Sequence, residues 1–113
     1  MTDDATSDLT LLDVLTGAAH ELPGIRRADQ GRVLIWSAGG IAFAALEGDR
    51  AEFRLDPRVA VAALRTPDTT PSARGPDWVA FAPASLDDAA VDRAEAWFLS
   101  AHRRAIGPHP SAL

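Results

Sequence analysis

The segment from Gly31 to Pro57 constrains the fold most, because it holds three short apolar runs separated by two pairs of turn residues. The pairs are Gly39-Gly40 and Gly48-Asp49, residue types that accept the positive φ angles of two-residue hairpin loops. A loop at Gly39-Gly40 predicts that Trp36 lies opposite Phe43. The segment therefore predicts three consecutive antiparallel strands.

Side chains alternate between the faces of a strand, so this pairing sorts the segment into two faces. The face expected to meet the core is apolar except for Ser37 and contains Val33, Ile35, Ala42, Ala44, Leu46, Ala51, Phe53 and Leu55. The second face is mixed and contains Arg32, Leu34, Trp36, Ile41, Phe43, Ala45, Glu47, Arg50, Glu52 and Arg54. Here Trp36, Phe43 and Arg54 would form one row, which predicts an open aromatic surface with an arginine stacked on it. The alternative is that a loop or helix covers this face as ordinary packing.

Helical spacing and end signals predict three helices: one before this segment, one that starts at its end, and one towards the end of the chain. The first runs from Asp8 to about Leu22 and is capped by Ser7 or Asp8, the second starts at Asp56-Pro57, and the third runs from Leu86 to about Ala105 behind a Ser85–Asp88 capping box. Residues 25–29, 69–73 and 77–82 are predicted to be extended.

Length and composition predict one domain spanning residues 1–113, with an ordered core of about 8–106 and tails at 1–7 and 107–113. The chain has no cysteine, which excludes disulfides and thiolate metal sites and makes a reducing cytoplasm the expected compartment. The acidic start is unlike a signal peptide, and the apolar run at 38–46 is too short to cross a bilayer. No membrane partner is expected.

The net charge of −5 disfavours strong non-specific binding to nucleic acid. All eleven basic residues are arginines, however, and arginine suits phosphate and carboxylate ligands. Eight of them are candidates for a phosphate-facing stripe: Arg26, Arg27, Arg32, Arg50, Arg54, Arg58, Arg65 and Arg74. The alternative is a solvated surface with local ion pairs.

Motifs for catalysis and metal binding are missing from the sequence. There is no Gly-x-Ser-x-Gly elbow and no phosphate-binding glycine loop, and His20, His102 and His109 lack the spacing of metal ligands. The paired carboxylates Asp3-Asp4 and Asp87-Asp88 are assigned to a solvated tail and to helix capping. We therefore expect no enzyme activity, no cofactor and no metal.

Two further tryptophans have competing interpretations. Trp78 could line a pocket with Arg74, although a Trp entering a strand is more often part of the core. Trp97 at helical spacing is predicted to be core.

Four stretches resemble the MmcQ/YjbR family, whose members are often labelled DNA-binding and have a "double wing" arrangement. They are Gly39-Gly40 with Phe43-Ala44, Phe53–Pro57, Arg74–Val79, and the helix that ends near Ser100. The resemblance covers roughly residues 12–105. It implies an α+β fold, a two-layer sandwich of an antiparallel sheet with helices on one face, and no established enzymatic activity. Family members usually have Lys where this chain has Ile41 and Arg54, so one basic residue of the implied surface is absent.

These observations support two hypotheses. The first is a small non-enzymatic domain that binds DNA, and the second is a module that binds a protein, a small ligand or a second copy of itself through the open face around Trp36 and Phe43. The candidate binding residues are Arg32, Trp36, Phe43, Arg50, Arg54 and Arg74.

Overall fold

The computed structural model describes residues 9–107, which form three helices and a six-stranded antiparallel sheet. The helices are α1 (Leu11–His20), α2 (Pro57–Ala63) and α3 (Asp88–Ile106). The strands are β1 (Ile25–Gln30), β2 (Val33–Ala38), β3 (Ile41–Glu47), β4 (Arg50–Arg54), β5 (Thr69–Pro71) and β6 (Trp78–Phe81), in the spatial order β1-β2-β3-β4-β6-β5. The predicted α+β class is confirmed. Apart from Gly107, the predicted tails lie outside the described residues.

Two of the three helix starts differ from the sequence prediction. The N-cap of α1 is Thr10, whose hydroxyl accepts a hydrogen bond from the Asp13 amide at 3.1 Å, while the Asp13 carboxylate accepts one from the Thr10 amide at 3.0 Å. The N-cap of α3 is Asp87, not Ser85, and its carboxylate accepts from the Ala90 amide. Both helices therefore start later in the chain than predicted. The Asp56 cap of α2, with Pro57 as the first helical residue, is confirmed. No helix within residues 9–107 is long and apolar enough to cross a membrane.

A β-bulge in β3 changes the predicted pairing of β2. Gly39 and Gly40 form the expected turn with φ angles of 59° and 80°, and Ser37 lies opposite Ala42, but Trp36 lies opposite Ala44. Phe43 is therefore the extra residue of the bulge. Because one residue of shift exchanges the faces of a strand, β2 presents the opposite side to the core from the side predicted.

The core lies between one sheet face and the helices. Trp36 is 1% exposed and Phe43 is not exposed, and their ring centroids lie 5.6 Å and 5.2 Å from that of Phe98 on α3. The prediction that Trp36 and Phe43 lie on an open face is wrong, because the bulge turns both side chains toward α3.

The opposite half of the core confirms the predicted inward side of β4, whereas Ala42 of β3, also predicted to face inward, is exposed. Trp97 packs edge-on against Phe81 at 5.1 Å and lies 6.2 Å from Phe53. Ala60 and Ala63 bring α2 into the same core. Phe53 and the β3–β4 pairing through the Gly48-Asp49 turn are as predicted.

Candidate functional site

The sheet face turned away from the helices is called the outer face here. Strand pairing and alternation place on it Arg26, Ala28, Gln30, Val33, Ile35, Ser37, Ala45, Glu47, Arg50, Glu52, Arg54, Thr70, Trp78 and Ala80. Ala45 and Ala80 are buried but do not belong to the core cluster, which confirms that they lie on the other side of the sheet. None of the described helices covers this face.

A buried carboxylate holds the centre of the outer face together. Glu52 is only 6% exposed. Its Oε2 accepts a hydrogen bond from the Ser72 hydroxyl at 2.6 Å, and its Oε1 accepts one from Nε of Arg74, also at 2.6 Å. Arg50 completes the cluster, with a guanidinium nitrogen 3.5 Å from Oε2. Because Ser72 and Arg74 follow β5, these contacts fasten the β5–β6 loop onto β4.

The surroundings of Glu52 favour its ionised form. Burial by itself raises the pKa of Glu52, but the hydrogen bonds from Ser72 and Arg74 and the positive charges of Arg74 and Arg50 outweigh it, so the pKa lies below its ordinary value. Glu52 is therefore a permanently charged anchor at neutral pH and is poorly suited to accept a proton in catalysis.

An arginine and an aromatic ring meet beside this anchor. The guanidinium carbon of Arg74 lies 5.8 Å from the centroid of the Trp78 ring, within the range of a cation–π contact. Trp78 is half-buried and lies on the outer face opposite Arg54 of β4. The possible partnership of Trp78 with Arg74 is thus present as a direct contact, and Trp78 does not belong to the core cluster.

A second ion pair fixes the other end of the β5–β6 loop. Nη1 of Arg104 on α3 lies 3.2 Å from Oδ2 of Asp77 and also donates to the Leu55 carbonyl oxygen. The Leu55 amide in turn donates to the Asp77 carbonyl oxygen at 2.9 Å. Asp77 has a φ angle of 70°, a left-handed conformation that Asp tolerates better than most residues. The loop that carries Arg74 is therefore anchored at both ends.

The outer face is locally basic although the chain is acidic. It carries Arg26, Arg50, Arg54 and Arg74 against only Glu47 and Glu52, in a protein whose net charge is −5. Within residues 9–107, Arg50 and Arg74 share Glu52, whereas Arg26 and Arg54 make no ion pair. Two positive side chains on this face are thus not neutralised by the described part of the chain.

The structure brings together half of the predicted binding residues. Arg50, Arg54 and Arg74 share the outer face, while Arg32 lies in the exposed turn between β1 and β2. Trp36 and Phe43 are core, as described above. Sequence reasoning did not select Glu52 or Ser72, and the only signal for Glu52 was its place between two arginines at alternate positions, Arg50 and Arg54.

The structure describes only some of the histidines and paired carboxylates for which no catalytic or metal-binding role is expected. Within residues 9–107 no group of three or more His, Asp or Glu side chains has the geometry to hold a metal ion. His102 is 3% exposed, and its Nε2 lies 3.3 Å from the Pro23 carbonyl oxygen. Asp3-Asp4 and His109 lie outside the described residues.

Comparison with known proteins identifies no relative. No family model, no curated protein and no solved structure matches this chain. The resemblance to the MmcQ/YjbR family stays a prediction, and the outer face offers the described geometry that bears on function.

Proposed function

We propose that this protein is a small non-enzymatic binding domain that holds DNA against the outer face, as its MmcQ/YjbR-like pattern implies. The supporting observation is that four arginines lie on a sheet face that no described helix covers, in a chain with a net charge of −5. Phosphate contacts by arginine supply most of the affinity of non-specific DNA binding. The bound DNA would therefore meet the side of the sheet that carries the excess positive charge.

Arg54 is the arginine on which the proposal depends most. It lies two residues after Glu52 on β4 and directly opposite Trp78 on β6, and no described carboxylate pairs with it. Arg50 and Arg74 are partly neutralised by Glu52, so they contribute less net charge to a phosphate. Arg54 and Arg26 would make the contacts whose loss costs the most affinity.

A salt titration of duplex DNA binding tests the proposal. For a phosphate-bound complex the logarithm of the association constant falls linearly with the logarithm of salt concentration, and removing one phosphate contact lowers the slope by about one. We expect this change for Arg54→Gln. Arg103→Gln is the matched control, because Arg103 is exposed on α3 in the helical layer. Absence of binding at low salt, a flat salt dependence, or equal effects of the two variants would reject the proposal.

A protein partner is the second candidate, and the aliphatic strip on the outer face favours it. Val33 and Ile35 lie side by side on that face, half-buried and without a described helix above them. A second copy of the chain is the simplest occupant to test, by sedimentation of the wild type and of Ile35→Glu. Concentration-dependent association that Ile35→Glu abolishes would support this candidate, whereas a monomer at all concentrations would remove it.

A further inference from the structure

Strand β1 is one edge of the sheet, and its outer side is open to another strand. It is six residues long, pairs with β2 in a regular register, and has five exposed residues. The opposite edge, β5, is only three residues long and ends at Pro71, and both features keep other strands away from a sheet edge. Strand β1 has neither of these protections.

The hairpin that joins β1 to β2 fixes which backbone groups of β1 are free. Gln30 and Val33 close the two-residue turn Gly31-Arg32, so they form a hydrogen-bonded pair. Because hydrogen-bonded and non-hydrogen-bonded pairs alternate along an antiparallel ladder, Arg27 and Asp29 direct their N–H and C=O groups away from β2. Within residues 9–107 no backbone group outside the sheet bonds to them. They are therefore free to pair with another strand.

The charges of β1 decide which strand can use these groups. Charged side chains on an edge strand usually keep other strands away, so a partner has to match them. A second copy of β1 would lie antiparallel about a two-fold axis, and the alternation of free groups requires that axis to pass through a residue. An axis at Arg27 would put two arginines opposite each other, and an axis at Asp29 would put two aspartates opposite each other. Both arrangements are destabilising.

An axis at Ala28 makes the two strands complementary. Arg27 of each copy then lies opposite the partner's Asp29, which gives an opposite-charge pair and ladder hydrogen bonds on each side of the axis. Ala28 meets its own copy at the close, non-hydrogen-bonded position, where a small side chain fits. Arg26 lies opposite the neutral Gln30. We propose that two copies of this protein pair through β1 about an axis at Ala28, so that their sheets become continuous.

Charge reversals test this register. Arg27→Asp and Asp29→Arg each place like charges opposite one another on both sides of the axis, so each variant alone should dimerise at least about tenfold more weakly than the wild type. In an equimolar mixture of the two variants every facing pair is again opposite in charge, and we expect a heterodimer about as stable as the wild-type dimer. Sedimentation velocity of the full chain measures this from about 1 μM to about 1 mM, a range that suits a small interface.

A single cysteine tests the register independently, because the chain has none of its own. In the proposed dimer the two copies of residue 28 lie about 4.5 Å apart between Cα atoms, within the range of a disulfide, whereas the two copies of residue 26 lie roughly 14 Å apart. Ala28→Cys should therefore form a covalent dimer in a mildly oxidising buffer, and Arg26→Cys, exposed on the same strand, should not. Thermal unfolding checks that each variant stays folded.

Pairing through β1 is distinct from both uses proposed for the outer face. DNA binding that fails in every variant would leave the dimer unaffected, because the dimer uses the edge of the sheet. Ile35→Glu should leave pairing through β1 intact. The proposal is overturned if the wild type stays a monomer at every concentration, if Ile35→Glu abolishes the dimer, if the charge reversals do not weaken it or their mixture does not restore it, or if Arg26→Cys cross-links as readily as Ala28→Cys.

Discussion

Trp36 lies opposite Ala44, not Phe43, and this one-residue difference decides which side of β2 meets the helices. Trp36 and Phe43 both contact Phe98 from positions that a regular hairpin would have placed on the far side of the sheet. The surface expected around the two aromatic rings is therefore absent, and the outer face carries Val33 and Ile35 instead.

The burial of Trp36 makes a direct prediction for stability. Trp36→Ala should lower the free energy of unfolding by about 3–5 kcal/mol, the cost of removing a large aromatic side chain from a packed core. Urea unfolding monitored by circular dichroism measures this. Ile41→Ala, at a position 42% exposed, should change stability by no more than about 0.5 kcal/mol. A cost below about 1 kcal/mol for Trp36→Ala would contradict the burial described for this ring.

The Glu52 cluster makes a prediction about acid. Since the pKa of Glu52 is lower in the folded chain than the unfolded value of 4.5, its ionised form stabilises the fold above about pH 4.5, and this contribution is lost as the pH falls through the folded pKa. Glu52→Gln should cost about 1–3 kcal/mol at pH 7, through its hydrogen bonds to Ser72 and Arg74. The difference from wild type should shrink as the pH falls below 4.5.

Chemical unfolding of both proteins from neutral pH into the acid range checks this dependence. Glu95→Gln, on the exposed side of α3, serves as the control because its side chain has no described partner. If the difference in unfolding free energy between wild type and Glu52→Gln were the same at every pH, the ionisation of Glu52 would not be its cause.

The proposed DNA surface predicts that removing an acid improves binding. Glu47 is exposed on the outer face, directly opposite Arg50. Glu47→Gln should raise DNA affinity by a factor of about 1.5 to 5, since one exposed charge changes an interaction by roughly 0.2–1 kcal/mol. Glu95→Gln makes the same charge change in the helical layer and should have a smaller effect. Fluorescence anisotropy at low salt measures both, and equal gains would indicate net charge rather than the outer face.

The ion pair that anchors the β5–β6 loop predicts that Arg104 and Asp77, which lie far apart in the sequence, are energetically coupled. Arg104→Gln should lower stability by about 1–2 kcal/mol by leaving the Leu55 carbonyl and the Asp77 carboxylate without their donor. Asp77→Asn keeps a residue that tolerates positive φ and removes only the charge. The double variant should be less destabilised than the sum of the two, by at least about 0.5 kcal/mol. Additive costs in urea unfolding would show that the pair does not act as a unit.

Signals from neighbouring residues were enough to predict the helices and strands. They were not enough to predict how β2 pairs with β3, because the bulge depends on the rest of the fold. The Asp56-Pro57 helix start and the Gly48-Asp49 turn depend on neighbouring residues, and both are correct. The bulge at Phe43 leaves no such signal, because β2 is apolar on both of its sides and the pattern cannot show which side is inward.

The Glu52 site was beyond sequence reasoning for a different reason. Ser72 and Arg74 lie 20 and 22 residues after Glu52, and they reach it only because β6 pairs with β4 and β5 adds to its far edge. A spacing rule cannot connect residues so far apart in the sequence. Arg50, Arg54 and Arg74 were therefore predicted as binding residues, while Glu52, which pairs with two of them, was not.

The extra residue in β3 has a consequence for any variant of this chain. Deleting Phe43 would restore the regular ladder and rotate β2 by half a turn, so that Val33 and Ile35 would face α3 while Trp36 faced water. A loss of three nucleotides would then change both sides of the sheet at once, because the indole would leave its packing against Phe98 and join the arginines of the outer face. The place of Trp36, Val33 and Ile35 on one face or the other depends on a single extra residue in the neighbouring strand.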